Sequence, residues 1–138
     1  MSRFPLAAVV GLVTILAAAS PAAAQQADSG QAQLAKAVEG RTAGDPVNCI
    51  PLSAIRATRI IDRTAILYDT GARLYVNIPS GAQWLDDDAI LLTRTFSGDL
   101  CNLEIVTLLD RSTHTQRGSV GLGKFVPYVR TPRDEDRP

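Results

Sequence analysis

The chain has 138 residues and a balanced charge, with 14 basic side chains, 14 acidic side chains and a single histidine. This balance gives no electrostatic reason to bind nucleic acid or an anionic membrane surface, and we predict neither as a partner. The length suits one small domain with a modest hydrophobic core.

The N-terminus is typical of a secretory signal peptide. A basic residue precedes an apolar core over residues 6–19, and small alanines lead to a cleavage point after Ala24. The apolar core is shorter than the roughly 20 residues of a membrane-spanning helix, so cleavage is favoured over a retained anchor. We therefore predict a signal peptide over residues 1–24 and a periplasmic or secreted protein that begins at Gln25 and has no transmembrane segment.

Residues 25–48 form a polar, alanine- and glutamine-rich lead-in. A short helix is predicted over residues 28–39, capped by the Asp-Ser pair at its start and stopped by Gly40. Its apolar stripe consists only of Leu34 and Val38, and an isolated helix of this kind is marginal. The sequence predicts a segment that docks weakly or stays mobile, followed by a linker.

From Cys49 onward the pattern is typical of β-strands separated by turns. Strands are predicted over residues 59–62, 64–68, 73–78, 90–96, 101–110 and 124–129, after a turn at residues 51–55. Short turns and the lack of repeated long helices predict a mainly β fold, a small antiparallel meander or partial barrel of five to six strands with a short N-terminal helix. The compact β domain is predicted to cover residues 49–129, with a disordered tail over residues 130–138.

Two of these strands have a predicted inner face. In the third, Leu74, Val76 and Ile78 share one side, and Arg73, Tyr75 and Asn77 share the other. In the fifth, the side of Cys101 is shared with Leu103, Ile105 and Leu109, which places Cys101 on the buried face.

Cys49 and Cys101 are the two cysteines of the chain. In an oxidising compartment they predict one disulfide. It would close a loop of about 50 residues, worth roughly 4 kcal/mol in the chain-entropy model. A redox or nucleophilic cysteine is disfavoured, because neither lies in a Cys-x-x-Cys motif or beside a histidine or lysine.

Three segments have a candidate chemistry and a simpler interpretation. Asp86, Asp87 and Asp88 offer carboxylates to a hard cation but lack a calcium-loop spacing, which favours a solvated turn or a capped helical turn. His114 lies in a hydrophilic loop without a nucleophile motif, which favours a surface role. The glycine-rich residues 118–123 lack the features of a phosphate-binding loop and are interpreted as a flexible entry to the last strand.

Four arginines and the single tryptophan also allow more than one interpretation. Arg56, Arg59, Arg63 and Arg73 lie near the first strands, where some could gather to pair with a carboxylate or phosphate. Solvated charges that discourage edge-to-edge aggregation are the simpler interpretation. Trp84 is interpreted as a core plug or a loop anchor. We predict no catalytic residue, no cofactor and no metal site.

Several short motifs resemble a family of small secreted bacterial proteins of unknown function. They are Cys-Ile-Pro-Leu at residues 49–52, Arg-Ile-Ile-Asp at 59–62, Leu-Tyr-Val-Asn at 74–77, Leu-Cys at 100–101 and Gly-Leu-Gly-x-Phe-Val-Pro-Tyr at 121–128. The resemblance implies a second cysteine pair, whose places are occupied here by Ala82 and Val120. It therefore implies that Cys49 and Cys101 pair with each other. It implies no enzymatic activity, because none is assigned to the family.

The leading hypothesis is a periplasmic binding or structural accessory protein that recognises another protein or a small ligand, and not an enzyme. One alternative is a hydrolase that uses sequence-distant carboxylates such as Asp62, Asp99 and Glu104. Another is a small inhibitor of an exported enzyme, which presents the loop over residues 111–118.

Overall fold

The computed structural model of the chain describes residues 21–132. They form one α-helix, α1 (Pro21–Ala37), and ten strands. The strands are β1 (Arg41–Ala43), β2 (Cys49–Pro51), β3 (Ala57–Ile61), β4 (Ala65–Asp69), β5 (Leu74–Asn77), β6 (Ile90–Thr93), β7 (Asp99–Cys101), β8 (Ile105–Leu109), β9 (Gln116–Gly121) and β10 (Phe125–Arg130). The predicted signal peptide lies outside the described residues except for residues 21–24, and so do residues 133–138 of the predicted tail.

The mainly β fold with antiparallel pairing and a short helix is confirmed. Ten strands replace the predicted five to six, because several strands of only three residues, such as β1 and β7, are too short to show an alternating pattern. The turn at residues 51–55 is a single 3₁₀ turn over Leu52–Ala54. Strand β1 lies within the predicted linker, and Arg130 at the start of the predicted tail is paired with Arg41.

Three sheets make up the domain. The largest has the strand order β1-β10-β5-β4-β3, a two-stranded sheet pairs β2 with β7, and a three-stranded sheet has the order β6-β8-β9. Isolated bridges join Val47 to Phe125 and Ser80 to Gly121. In the part of the chain that the structure describes, the sheets do not close into a barrel, so β3 and β6 each have one free edge.

The five-stranded sheet is buried on both faces, which the alternation in β5 shows. Tyr75 belongs to a core cluster shared with the two smaller sheets, whereas Leu74 and Val76 belong to a cluster on the opposite face. The predicted alternation of these residues is confirmed. Ile78, predicted to share the face of Leu74, lies beyond the end of β5 and is 59% exposed.

Helix α1 covers the second cluster through Leu34 and Ala37, together with Val38 directly after the helix. Its close approach depends on Gly30, which is buried. A Cβ atom there would collide with the Thr64 hydroxyl and lie 2.9 Å from the Asp62 carbonyl oxygen. The helix therefore packs against the turn between β3 and β4, and it is longer than the predicted segment.

Asn77 is a fully buried polar residue at the end of β5. Its amide nitrogen donates to the Gly123 carbonyl oxygen at 2.7 Å, and its amide oxygen accepts from the Gly123 N–H at 3.0 Å. Because both backbone groups of Gly123 are satisfied by one side chain, Asn77 fixes the segment that leads into β10.

The predicted inner face of the strand over residues 101–110 is wrong. Leu103 and Ile105 are 83% and 67% exposed, whereas Val106 and Leu108 are buried. Leu103 adopts φ 70°, so a turn separates β7 from β8. The buried residues keep the same alternation from Leu100 to Val106 and Leu108, so the error was to place Cys101 on the inner face.

The predicted disulfide is confirmed. Cys49 and Cys101 face each other in the register of β2 and β7 and are joined by an S–S bond of 2.11 Å. Cys49 is exposed and Cys101 half-buried, while the next pair in register, Ile50 and Leu100, is buried. The bond closes the exposed side of the two-stranded sheet instead of lying in the core.

Candidate functional site

A cleft of about 950 Å³ lies where the helix, the β3–β4 turn and the loop before β6 meet. Its polar lining is rich in charged and amide groups: Ser29, Gln33, Asp62, Arg63, Gln83, Asp86, Asp87 and Arg117. Leu85, Ala89, Leu108 and Trp84 supply its apolar part. We call this site the acidic cleft.

Two separate turns supply the carboxylates of the acidic cleft. Asp62 lies in the β3–β4 turn, in which Arg63 adopts φ 52°. The Arg63 N–H donates to the Leu85 carbonyl oxygen at 3.1 Å, which holds this turn against the segment that contains Asp86 and Asp87. One backbone hydrogen bond thus brings together residues that are distant in sequence.

Carboxylate oxygens of Asp62, Asp86 and Asp87 lie within 4.8 Å of one another. Asp86 is paired with Arg117 at 2.9 Å, and Asp62 lies 4.0 Å from Arg63. Asp87 is exposed and has no ion pair among residues 21–132. The three groups could contribute oxygen ligands to a hard cation, with the remaining ligands coming from water, or could pair with an organic cation.

The predicted turn at residues 86–88 is confirmed. The Asp88 N–H donates to the Asp86 carboxylate at 3.0 Å, and the Ala89 N–H donates to the Asp86 carbonyl oxygen at 3.0 Å. Asp88 points away from the cluster and pairs with Arg111 at 3.0 Å. The sequence showed three equivalent aspartates, but the turn gives Asp86 and Asp88 different arginine partners and leaves Asp87 without an ion pair among the described residues.

Trp84 is 69% exposed and lines the acidic cleft, so its interpretation as a core plug is wrong. It ends a 3₁₀ turn over Ala82–Trp84, which begins after Gly81 in the left-handed region at φ 81°. The short turn lifts the indole away from the core. An exposed indole beside carboxylates offers a π-face to a positively charged group.

The loop between β8 and β9 is held by Asp110. Its carboxylate accepts hydrogen bonds from the Ser112 hydroxyl at 2.6 Å and from the Ser112 and Thr113 N–H groups at 2.9 Å. These bonds, led by the Ser112 hydroxyl, hold the pKa of Asp110 well below its usual range. His114 is exposed in this loop, as predicted.

The glycine-rich segment is not a flexible entry, and that prediction is wrong. Residues 118–121 belong to β9, which pairs with β8. Gly121 approaches Ser80 so closely that a Cβ atom would lie 2.8 Å from the Ser80 hydroxyl oxygen. At Gly123 a Cβ atom would lie 2.6 Å from the Ile78 carbonyl oxygen. These two glycines permit close backbone packing.

The remaining predicted residues do not form a second cluster. Arg63 lines the acidic cleft, whereas Arg59 lines grooves at β3, and Arg56, Arg59 and Arg73 are exposed without an ion pair among the described residues. Asp99 lies on β7, and the Glu104 carboxylate accepts the Cys101 N–H at 2.8 Å. Neither lines the acidic cleft that contains Asp62.

Comparisons with known proteins give no relative. The chain matches no protein-family model, no curated protein and no solved structure. The family resemblance carried by the sequence motifs therefore stays a prediction. Across residues 21–132, no helix combines the length and the apolar character that crossing a bilayer requires.

Proposed function

We propose that the chain is an exported binding protein and that the acidic cleft is its binding surface for an organic cation. The observation that carries the proposal is the placement of three carboxylates within 4.8 Å of one another in the same cleft as an exposed tryptophan. A leader with the features of a signal peptide and the Cys49–Cys101 bond support export.

The charges of the cleft favour a positively charged ligand. Three aspartates face two arginines, and of these aspartates only Asp86 has a close ion pair within residues 21–132, at 2.9 Å. Carboxylates held this close repel one another, so an ammonium or guanidinium group between Asp62 and Asp87 relieves that repulsion. The Trp84 ring adds a cation–π contact worth about 0.5–1 kcal/mol at an exposed site.

The fluorescence of Trp84, the single tryptophan of the chain, reports binding directly. We would titrate the protein with spermidine, with a capped tri-arginine peptide and with Ca²⁺ and Mg²⁺ as separate probes. We expect a saturable change with an organic cation. The D62N/D87N variant should bind it at least about tenfold more weakly, which corresponds to about 1.4 kcal/mol.

The matched control is Asp45→Asn, which removes an exposed carboxylate outside the cleft and should leave the titration unchanged. A response to the metal ions alone would replace the proposal with a metal site. No saturable response to any probe, or an equal response in D62N/D87N, would refute binding at the cleft.

The two alternative functions receive less support. The hydrolase hypothesis requires Asp62, Asp99 and Glu104 to converge in one cleft. Of these three residues, only Asp62 lines the acidic cleft. The inhibitor hypothesis relied on a polar loop over residues 111–118, but β9 begins at Gln116 and leaves a shorter loop. A binding protein requires neither feature.

A further inference from the structure

A second groove, of about 520 Å³, lies between β3 and β6 on the side where the sheets fail to close. Its lining includes three successive residues of β3, Thr58, Arg59 and Ile60. It also includes Ile90, Leu91 and Thr93 of β6. Successive side chains of a strand point to opposite faces, so a groove that touches three in a row is bordered by the edge of the strand itself.

The free edge of β3 carries backbone groups without partners. The Thr64 N–H donates to the Ile61 carbonyl oxygen at 3.1 Å within the hairpin turn, so the backbone groups of Ile61 face β4. Antiparallel alternation then directs the N–H and C=O groups of Thr58 and Ile60 to the free edge. None of residues 21–132 pairs with these groups.

The floor of the groove is apolar and contains one unsatisfied polar group. Leu52, Ile55, Ile60, Leu91 and Leu100 line it together with Tyr68. Tyr68 is 3% exposed, and its hydroxyl is buried without a hydrogen-bond partner among the described residues. Burial raises the pKa of Tyr68, so the hydroxyl stays protonated and available as a donor.

The charge of the β3 edge favours an acidic partner segment, and the other two charged residues of the groove lining, Asp87 and Arg111, have opposite signs. Arg59 is exposed on β3 and has no ion pair among the described residues, and residues 56–61 contain no acidic side chain. Pairing of two β3 edges would place arginines of two copies close together, which is unfavourable. An acidic side chain on a neighbouring strand would instead pair with Arg59.

We propose that the β3 edge accepts an extended segment of a partner protein as an added strand, with apolar side chains over the groove and acidic side chains beside Arg59. The alternation follows from the pleat, since Ile60 and Thr58 lie on the groove side and Arg59 on the opposite side. A segment that matches the five residues of β3 spans about 17 Å. Main-chain hydrogen bonds then supply affinity, and side-chain alternation supplies selectivity.

The test uses two capped, fluorescein-labelled heptapeptides, one of alternating glutamate and valine and one of alternating lysine and valine. Fluorescence polarisation should show saturable binding of the glutamate peptide at least about tenfold tighter than that of the lysine peptide. The amides of Thr58 and Ile60 should gain protection from hydrogen exchange in the complex. Arg59→Glu should reverse the preference between the two peptides.

Arg73→Glu is the matched control, because Arg73 is also exposed and unpaired among residues 21–132 but does not line the groove. It should leave the preference unchanged. Equal binding of both peptides, protection elsewhere than at β3, or an unaltered preference in Arg59→Glu would overturn the proposal. Dimerisation of the free protein through β3, seen by sedimentation and by protection of the same amides, would assign the edge to a second copy instead. Asp87 lines both this groove and the acidic cleft. The peptide test therefore changes Arg59 and Arg73, which lie outside the acidic cleft, so that its failure is distinguishable from failure of the cation titration.

Discussion

Replacing Asn77 by alanine should destabilise the fold far more than a surface substitution does. The change removes two hydrogen bonds, of 2.7 and 3.0 Å, and leaves the N–H and C=O groups of Gly123 without their partners. Each of these part-buried groups left without a partner costs up to about 1–3 kcal/mol, so we expect a loss of about 2–5 kcal/mol in the free energy of unfolding. That is a large part of the roughly 5–15 kcal/mol of a small domain.

Urea denaturation followed by far-ultraviolet circular dichroism measures this loss, and the slope m should remain that of the wild type. Asn48→Ala is the control, because Asn48 is exposed and its side chain forms no hydrogen bond with the described residues. A loss at Asn77 no greater than about 0.5 kcal/mol, the range of ordinary surface changes, would refute the reasoning.

Asn77→Asp separates the hydrogen-bond argument from a packing effect. The ionised carboxylate cannot donate to the Gly123 carbonyl oxygen, but the protonated acid can, so folding should raise the pKa of this carboxyl above its unfolded value. The folded state then binds more protons than the unfolded state, and the stability deficit relative to wild type grows as pH rises above about 4. A deficit that is the same at pH 3.5 and pH 7 would show that volume alone matters.

Three further outcomes follow from the packing, each measured as a free energy of unfolding in urea. The Cys49→Ala/Cys101→Ala double variant should lose about 4 kcal/mol, and the native protein should show no free thiol on alkylation and intact-mass measurement. Gly30→Ala should lose about 1–3 kcal/mol despite the higher helix propensity of alanine, because the added methyl meets the Thr64 hydroxyl. Tyr68→Phe should leave stability unchanged or raise it by about 1 kcal/mol, because it removes a buried hydroxyl without a partner.

Each of these outcomes has a result that contradicts it. A Cys49→Ala/Cys101→Ala double variant as stable as wild type would mean that the disulfide adds nothing to the two-stranded sheet. A Gly30→Ala variant that is stabilised would show that α1 can move away from the β3–β4 turn without loss. A Tyr68→Phe variant that loses more than about 1 kcal/mol would show that the hydroxyl has a partner in solution.

Local pattern was enough to predict the central strands and the disulfide. The alternation over residues 74–77 and the β-branched content of residues 64–68 are visible in sequence, and two cysteines in a chain predicted to be exported have one simple pairing. The inner face of β8 was predicted wrongly because Cys101 was taken to mark the buried side. The disulfide lies on the more exposed side, and the buried residues are Leu100, Val106 and Leu108.

The acidic cleft was also not predictable from the sequence. Asp62 and Asp86 meet because the Arg63 N–H reaches the Leu85 carbonyl oxygen, which is a tertiary contact without a sequence signature. Asn77 was placed on the correct face of β5, but nothing in its neighbourhood showed that this face is buried and that Gly123 lies against it. The close spacing of Gly121 and Gly123 was the available signal for tight backbone packing there.

The position of β10 has a consequence for how the protein is made. This strand is the last of the described chain, yet it lies between β1 and β5 in the five-stranded sheet. Phe125, fully buried at its start, packs its ring against Tyr68 of β4 with a centroid separation of 5.7 Å. The ribosome must therefore deliver β10 before the central sheet can assemble, and a nascent chain that stops short of β10 would expose β5 and lose a core aromatic. Late assembly of this kind would be compatible with the export that the N-terminal sequence predicts.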